Sequence, residues 1–382
     1  MKIAFITPEF PHPKTGISGG IGTSIRNLAA GLVQAGHEPL VLVCGQDRDE
    51  VFEDEGIVFY RIKNVSFKGL SWYFTRKKIE KLIDRLYSES KIDLAEAPDW
   101  VGISSFVQPK KCPVVVRLNG SDTYFCHLDK RDVGFASRFH EKRALTNADA
   151  LLSVSRFTAE VTSGLFNLER EFSIIPNGID AAKFCPSNSS VKPNSILYFG
   201  TLIRKKGLLE LPYIFNEIIK LNSSATLTLV GRDAADVLTG SRSTWEMMKP
   251  LFSKDALSNV EYKGSVAYDD VRNHINQASV CVFPTFAEAL PVSWIEAMAM
   301  EKAVVASDIG WAGEVIDDGV NGYLVHPKNH TLFARKVNSL LEDSALREKI
   351  GKEARNQILS TFDIGVVTAK NIDFYQKLLE KK

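Results

Sequence analysis

The sequence predicts an α/β chain made of two doubly wound domains in succession, and three observations carry that reading. Short β-branched runs, apolar on both faces, alternate with amphipathic stretches, as buried parallel strands alternate with covering helices. The alternation lapses between Ala181 and Asn194 and then restarts with a similar build. The length of 382 residues also exceeds what one core usually fills, since domains average roughly 150 residues.

In the first half IAFIT, PLVLVCG and VFYRI read as strands, with a helix from about Thr23 to Ala35 between the first two. That helix repeats Ile25, Leu28, Ala29, Leu32 and Val33 at spacings of three and four, and Gly36 suits the left-handed residue that ends it. IDLAEAP, PVVVRLNG, ALLSVS and FSIIPNG follow as further strands. The run Cys185-Pro-Ser-Asn-Ser-Ser-Val-Lys-Pro-Asn has no periodic face and reads as the connection. Beyond it come SILYFG, a helix after Gly207, ATLTLVG, VEYKG, SVCVFP, a helix holding Trp294 to Met300, AVVAS and GYLV. The amphipathic tail FDIGVVTAKNIDFYQKLLE is suited to pack back on the first domain. The domains are thus read as 1–185 plus a C-terminal helix at about 362–382, and 195–361. Loops at the carboxyl ends of two such sheets predict an interdomain cleft as the ligand site.

Composition narrows the function. With 47 Lys+Arg against 46 Asp+Glu the formal charge is +1, which argues against a chain that coats nucleic-acid phosphates. Apolar residues at 45% and charged residues at 24% describe a chain that buries a core rather than a disordered one. No run of about 18 apolar residues occurs, and Pro8 and Glu9 interrupt the N-terminal run before a signal peptide is formed. Five scattered cysteines without a C-x-x-C pair fit thiols in a reducing compartment, so the expected location is cytoplasmic.

Three motifs carry chemistry. The loop Gly16-Ile-Ser-Gly19-Gly20-Ile-Gly22 lies between the first strand and the first helix, where absent side chains let backbone N–H groups face a phosphate or a sugar hydroxyl. A simple tight turn is the alternative, and the compact G-x-G-x-x-G spacing of a dinucleotide site is missing. Gly200-Thr-Leu-Ile-Arg204-Lys205-Lys206-Gly207 sets three cations before a helix N-terminus, a conflict of like sign that an anionic ligand such as a diphosphate relieves; a solvated basic turn is the alternative. In Phe286-Ala-Glu288-Ala-Leu-Pro-Val-Ser-Trp-Ile-Glu296-Ala-Met-Ala, Glu288 belongs to the loop and Glu296 to the helix, with backbone N–H groups between them suited to phosphate; acids that merely favour a helix start are the alternative.

Together with Ile175-Pro-Asn-Gly178-Ile-Asp180 and Glu314-Val-Ile-Asp-Asp-Gly319-Val-Asn-Gly322, these motifs in this order resemble glycosyltransferase family 4, of the GT-B fold with two Rossmann-like domains. The resemblance implies a retaining, metal-independent transferase without a cofactor. It would take a sugar from a nucleotide diphosphate donor held mainly by the second domain and pass it to a saccharide or lipid-linked acceptor held by the first. Lys206, with Arg204 or Lys205, would neutralise the departing diphosphate, where charge grows as the C–O bond breaks. Glu288 would hold sugar hydroxyls, Glu296 the ribose, and the backbone of Ala289, Leu290, Pro291 and Val292 would meet phosphate oxygens. Gly19 and Gly20 would let the first domain approach the diphosphate or acceptor.

Two positions depart from the family pattern. Asn119 stands where a histidine is frequent; it keeps hydrogen-bonding capacity but carries no proton at neutral pH. Thr201 stands where many members carry arginine. The resemblance implies same-face substitution, with the departing phosphate accepting the acceptor's proton, rather than the paired carboxylates of retaining glycosidases. The product would be a glycan, lipopolysaccharide or glycolipid intermediate. An epimerase of the same fold would turn over donor without acceptor, and a non-catalytic sugar-nucleotide-binding subunit would bind donor without turnover.

The remaining features are weaker. Asp47-Arg-Asp49-Glu50 has the form of a metal site but reads as a polar loop, and Pro327 spoils the His326/His330 spacing, so no metal is expected. Asn188-Ser-Ser and Asn222-Ser-Ser match glycosylation sequons that matter only on export. The segment 71–87 mixes Trp72, Tyr73 and Phe74 with Arg76, Lys77, Lys78, Lys81 and Arg85 on a helical face, suited either to solvent or to an anionic membrane surface at the inner face.

Overall fold

The computed structural model describes residues 1–16, 18–187 and 191–381. The chain divides into two units, Met1–Gly178 with Asp363–Lys382, and Ile179–Phe362. The crossing into the second unit comes earlier than the sequence suggests, because Ile179 already donates its N–H to the Phe362 carbonyl at 2.9 Å. The sequon at Asn188 and the middle of the expected connection lie outside the described residues.

The first unit is built on an eight-stranded sheet in the order β3-β4-β2-β1-β5-β6-β7-β8. Its strands are β1 (Lys2–Thr7), β2 (Glu38–Gln46), β3 (Glu50–Asp54), β4 (Ile57–Lys63), β5 (Leu94–Pro98), β6 (Val114–Leu118), β7 (Ala150–Ser153) and β8 (Ser173–Ile174). All pairings are parallel except β3 with β4. That hairpin extends through what the sequence reads as a polar loop. Glu55 and Gly56 both have positive φ, 49° and 76°, as a two-residue primed turn requires. The acidic run is used up in ion pairs: Arg61 holds Asp47 and Glu50, and Lys78 holds Asp49 at 2.6 Å.

The helix Gly20–Gln34 buries Ile25, Leu28, Ala29 and Leu32 against one sheet face, and Gly36, at φ 77°, follows its end. The helix Ser71–Ser88 buries Ile79, Ile83 and Leu86 on the other face. The C-terminal helix Ile364–Glu380 is fixed to the first unit by polar bonds in the core. Arg117 pairs with Glu96 at 2.6 Å and also donates to Asn371, while Tyr375 donates to Glu96 at 2.6 Å. All four side chains are buried, so each charge needs the others to stay satisfied.

The second unit carries a six-stranded parallel sheet in the order β11-β10-β9-β12-β13-β14. The strands are β9 (Ser195–Phe199), β10 (Thr226–Val230), β11 (Val260–Tyr262), β12 (Val280–Phe283), β13 (Ala303–Ala306) and β14 (Tyr323–Leu324). β9, β12 and β13 are buried along their whole length, the pattern of a sheet covered on both sides. Among the described residues no helix is long and apolar enough to cross a membrane.

Candidate functional site

The second unit gathers the candidate donor residues at the carboxyl ends of β9 and β12. Gly200 leaves β9 at φ 136°, and a Cβ on Gly231 would lie 1.9 Å from the Gly200 carbonyl oxygen, so the two backbones touch. Arg204–Lys206 form one 3-10 turn that closes at Gly207, φ 73°. A Cβ there would lie 1.7 Å from the Pro284 carbonyl oxygen. Glycine therefore lets the basic turn lie directly on the loop after β12. The Lys205 carbonyl then accepts the Phe286 N–H at 2.8 Å and the Ala287 N–H at 3.2 Å. With the loops joined, Lys206 Nζ stands 3.0 Å from Glu288 Oε1, both side chains partly buried.

The like-charge conflict read from the sequence is answered within the chain. The following helix begins only at Leu211, beyond the basic turn. Arg204 makes a two-pronged bond to Asp236, 2.7 Å from Nε and 2.9 Å from Nη2. Asp236 is 2% exposed, and the Arg204 guanidinium, helped by Thr239, holds its carboxyl down to about 2. Lys206 is matched by Glu288. Buried Tyr198 donates to the Thr201 carbonyl at 3.1 Å; burial, with Glu288 nearby, raises its phenol well above the usual range.

The helix Val292–Ala299 starts behind Ala289, Leu290 and Pro291, with Pro291 as N-cap, whose side chain offers its first amides no acceptor. Pro291 fits there because it lacks an N–H that the first turn would leave unmatched. The positive end of this helix thus faces the Glu288 loop, a setting that suits an anion. Glu296 is buried inside the helix at 5% exposure.

In the first unit, Gly19 is the N-cap of the helix Gly20–Gln34, which starts three residues earlier than the apolar periodicity suggests. Its anion-attracting end is engaged by an internal carboxylate: Glu9 Oε1 accepts the Gly22 N–H at 3.1 Å. A Cβ on Gly19 would lie 3.2 Å from that same oxygen, whereas one on Gly20 would meet open space. Asn119 lines a depression with Ile21, Ser24, Pro98 and Gly178, so the start of this helix and Asn119 share one surface. Beneath it, fully buried Asp99 accepts the Asn119 N–H at 2.9 Å, and its Oδ2 has no hydrogen-bond partner. Burial pushes this carboxyl up to about 8.

Asp236, Glu9 and Asp99 escape the sequence reading because each acts on a partner distant in the chain, and no local spacing marks it. Among the described residues no group of three metal-ligating side chains stands together, and His330 instead pairs with Glu210 at 2.7 Å.

Comparison with known proteins places this arrangement. Residues 18–183 match the family model for Glycosyltransferase Family 4, and residues 181–357 match that for Glycosyl transferases group 1. An uncharacterised glycosyltransferase of Methanocaldococcus jannaschii is 27% identical, covering 100% of this chain and 99% of its own. Glycogen synthase of Mycobacterium tuberculosis is 23% identical over 98% of this chain and 94% of its own. Among solved structures, sucrose-phosphate synthase from Thermosynechococcus elongatus superposes with a TM-score of 0.81 at 21% identity, covering all of both chains. Anabaena HepE in complex with UDP-glucose gives 0.75 at 18% identity, over 99% of this chain and all of that one. Both structures have the two-domain GT-B architecture, and the family models tile this chain from residue 18 to 357. The chain belongs to glycosyltransferase family 4.

Proposed function

We propose that this glycosyltransferase is a retaining, metal-independent enzyme that transfers a hexosyl group from a nucleotide diphosphate sugar to a saccharide or lipid-linked acceptor, in glycan, lipopolysaccharide or glycolipid assembly. The observation that carries the reading is the joining of the 204–207 turn to the 284–288 loop, which sets Lys206 beside Glu288 at 3.0 Å. A relative of this fold, Anabaena HepE, has been solved with UDP-glucose, which supports a sugar nucleotide as donor.

In this reading the second unit binds the donor. Lys206 Nζ meets the diphosphate, Arg204 and Lys205 add positive potential, and the amides from Ala289 to Val292 receive phosphate oxygens. Glu288 orients the sugar hydroxyls and Glu296 the ribose. As the C–O bond breaks, charge accumulates on the leaving phosphate, and a cation already in place stabilises it more than the ground state. The phosphate then takes the acceptor hydroxyl's proton, so no protein base is needed. Gly19, Gly20 and Asn119 of the first unit serve the acceptor and the donor's diphosphate.

The test is a panel of UDP-, GDP- and ADP-sugars with and without saccharide acceptors, reading released nucleotide after dialysis against EDTA. Acceptor-stimulated release that survives the chelator supports the reading. Release of nucleotide from none of the donors overturns it, and conversion of donor without release marks an epimerase instead.

A further inference from the structure

The first unit carries a second surface, made of residues other than those assigned to transfer above. The start of the helix Ser71–Ser88, the turn 100–106 and the start of the helix Phe135–Asn147 meet in one continuous aromatic platform. Ring to ring it runs from Phe67 to Phe74 at 4.8 Å, to Tyr73 at 5.6 Å, to Phe106 at 5.6 Å, to Phe139 at 6.3 Å and to Phe135 at 6.3 Å. Trp72 packs on Phe106 at 5.5 Å. Phe67, Leu70, Trp72, Phe74, Val101 and Phe139 are exposed, and Phe135 is 84% exposed. Apolar area of this extent on one surface marks a docking site.

The platform is held rigidly. Arg76 reaches from the first helix to the His140 ring at 3.2 Å and the Gly102 carbonyl at 3.1 Å. Ser105 Oγ meets the same ring at 3.0 Å. A Cβ on Gly102 would lie 2.3 Å from the His140 backbone, so the turn rests directly on the second helix. Val101 and Phe106 take φ of 47° and 63°, a left-handed conformation that bulky residues adopt only where the surroundings impose it.

The charge around the platform selects the occupant. Residues 67–76 and 134–143 contain Lys68, Arg76, Arg138, Lys142 and Arg143 against the single carboxylate of Glu141. That carboxylate is buried and turned inward to the Asp122 and Thr123 amides. Farther along the first helix, Lys77 is matched by Glu80 and Lys78 by Asp49. Lys68, Arg138 and Lys142, all exposed, with Arg143 beside them thus bring positive charge without a paired carboxylate to the aromatic end, while Arg76 is turned inward and Lys81 adds one further exposed cation along the helix. A two-fold pairing of copies through this surface would set cations against cations. Aromatic rings with cations at their edge suit the headgroup level of an anionic bilayer, where the rings enter and the cations meet phosphate.

We propose that this face seats the protein on an anionic lipid bilayer, with Phe135, Phe139 and Trp72 as the inserted anchors. The inference stands apart from the donor chemistry, since lipid binding is read without any sugar nucleotide. The experiment is co-sedimentation of the full chain with phosphatidylglycerol/phosphatidylcholine vesicles and with phosphatidylcholine alone, at low and high salt. The wild type is expected to partition at least tenfold more strongly onto the anionic vesicles. A Phe135→Ser/Phe139→Ser variant should lose at least tenfold while keeping its melting temperature and its turnover of a soluble acceptor. Failure of the wild type to bind anionic vesicles, or equal binding by the variant, overturns the proposal. So does a dimer without lipid that the variant abolishes, which would assign the face to a second copy.

Discussion

Lys206→Ala separates a catalytic cation from a structural one. Lys206 Nζ lies 3.0 Å from Glu288 Oε1, with 23% and 15% of the two side chains exposed, so the pair is neither on the open surface nor in the deep core. An exposed pair contributes about 0–1 kcal/mol, whereas removing one partner of a buried pair costs about 3–5 kcal/mol. This pair falls between them, and about 1–2 kcal/mol of folding stability should go with the ammonium. Turnover should fall further. Loss of one group that stabilises transition-state charge costs about 2–4 kcal/mol, or about 30- to 1,000-fold in kcat. Glu288→Gln in the same chain distinguishes the two effects. With the carboxylate neutralised, Lys206→Ala/Glu288→Gln should regain the melting temperature, since no lone half-buried charge remains, but not the turnover. The assay is nucleotide release at saturating donor and acceptor, alongside thermal unfolding. Turnover by Lys206→Ala within threefold of wild type, or its recovery in the double variant, would refute the assigned role.

Four further outcomes are expected. Asp236 has its carboxyl held at about 2 against an ordinary 3.8, so the pair with Arg204 stabilises the fold fully above about pH 4 and loses that contribution as pH falls toward 2. Because Arg204 is 36% exposed, the contribution is about 1–2 kcal/mol, and Asp236→Asn should flatten the pH dependence of urea unfolding over that window. Glu296→Ala should raise the KM for donor several-fold with little change in kcat; an unaltered KM removes it from the ribose. Gly207→Ala, whose Cβ would meet the Pro284 carbonyl, should part the two loops and weaken donor binding, measured calorimetrically. Tyr375→Phe removes a donor from buried Glu96 and should cost about 1–3 kcal/mol of stability, read by thermal unfolding, with the donor KM unchanged.

The sheets were legible because parallel strands buried on both faces leave apolar runs such as PVVVRL and SVCVF that few other structures require. The early strand Glu50–Asp54 was not, because an edge strand with charged residues on both faces carries no such run, and only Glu55-Gly56 signals its hairpin. The place in the fold of the candidate donor residues was legible for a different reason. Lys206, Glu288 and Glu296 belong to contiguous motifs, and strand–loop–helix continuity fixes which end of the sheet they occupy. What remained hidden is the partnership across loops. Nothing local to Arg204 announces Asp236, and nothing near Gly22 announces Glu9, because both contacts exist only once the strands are side by side.

Those hidden carboxylates change how the basic turn is understood. Three adjacent cations look like an unmet demand for an anion, yet Asp236 and Glu288 already answer two of them. The two answers differ in kind. Asp236 is buried, accepts from Arg204 Nε and Nη2 along one guanidinium edge and is itself bonded by Thr239, so releasing Arg204 would strand a carboxylate with few alternatives. Lys206 carries a point charge with three rotatable donors and can keep Glu288 while taking a phosphate oxygen. In the proposed reading, with threonine at position 201, direct contact with a departing diphosphate falls to Lys206, while Arg204, bound to Asp236, braces the loop that presents it. Arg204→Lys should then reduce stability more than Lys206→Arg does, and Lys206→Arg should damage turnover more than Arg204→Lys. The reverse order, measured in the same unfolding and nucleotide-release assays, would move the catalytic charge to Arg204.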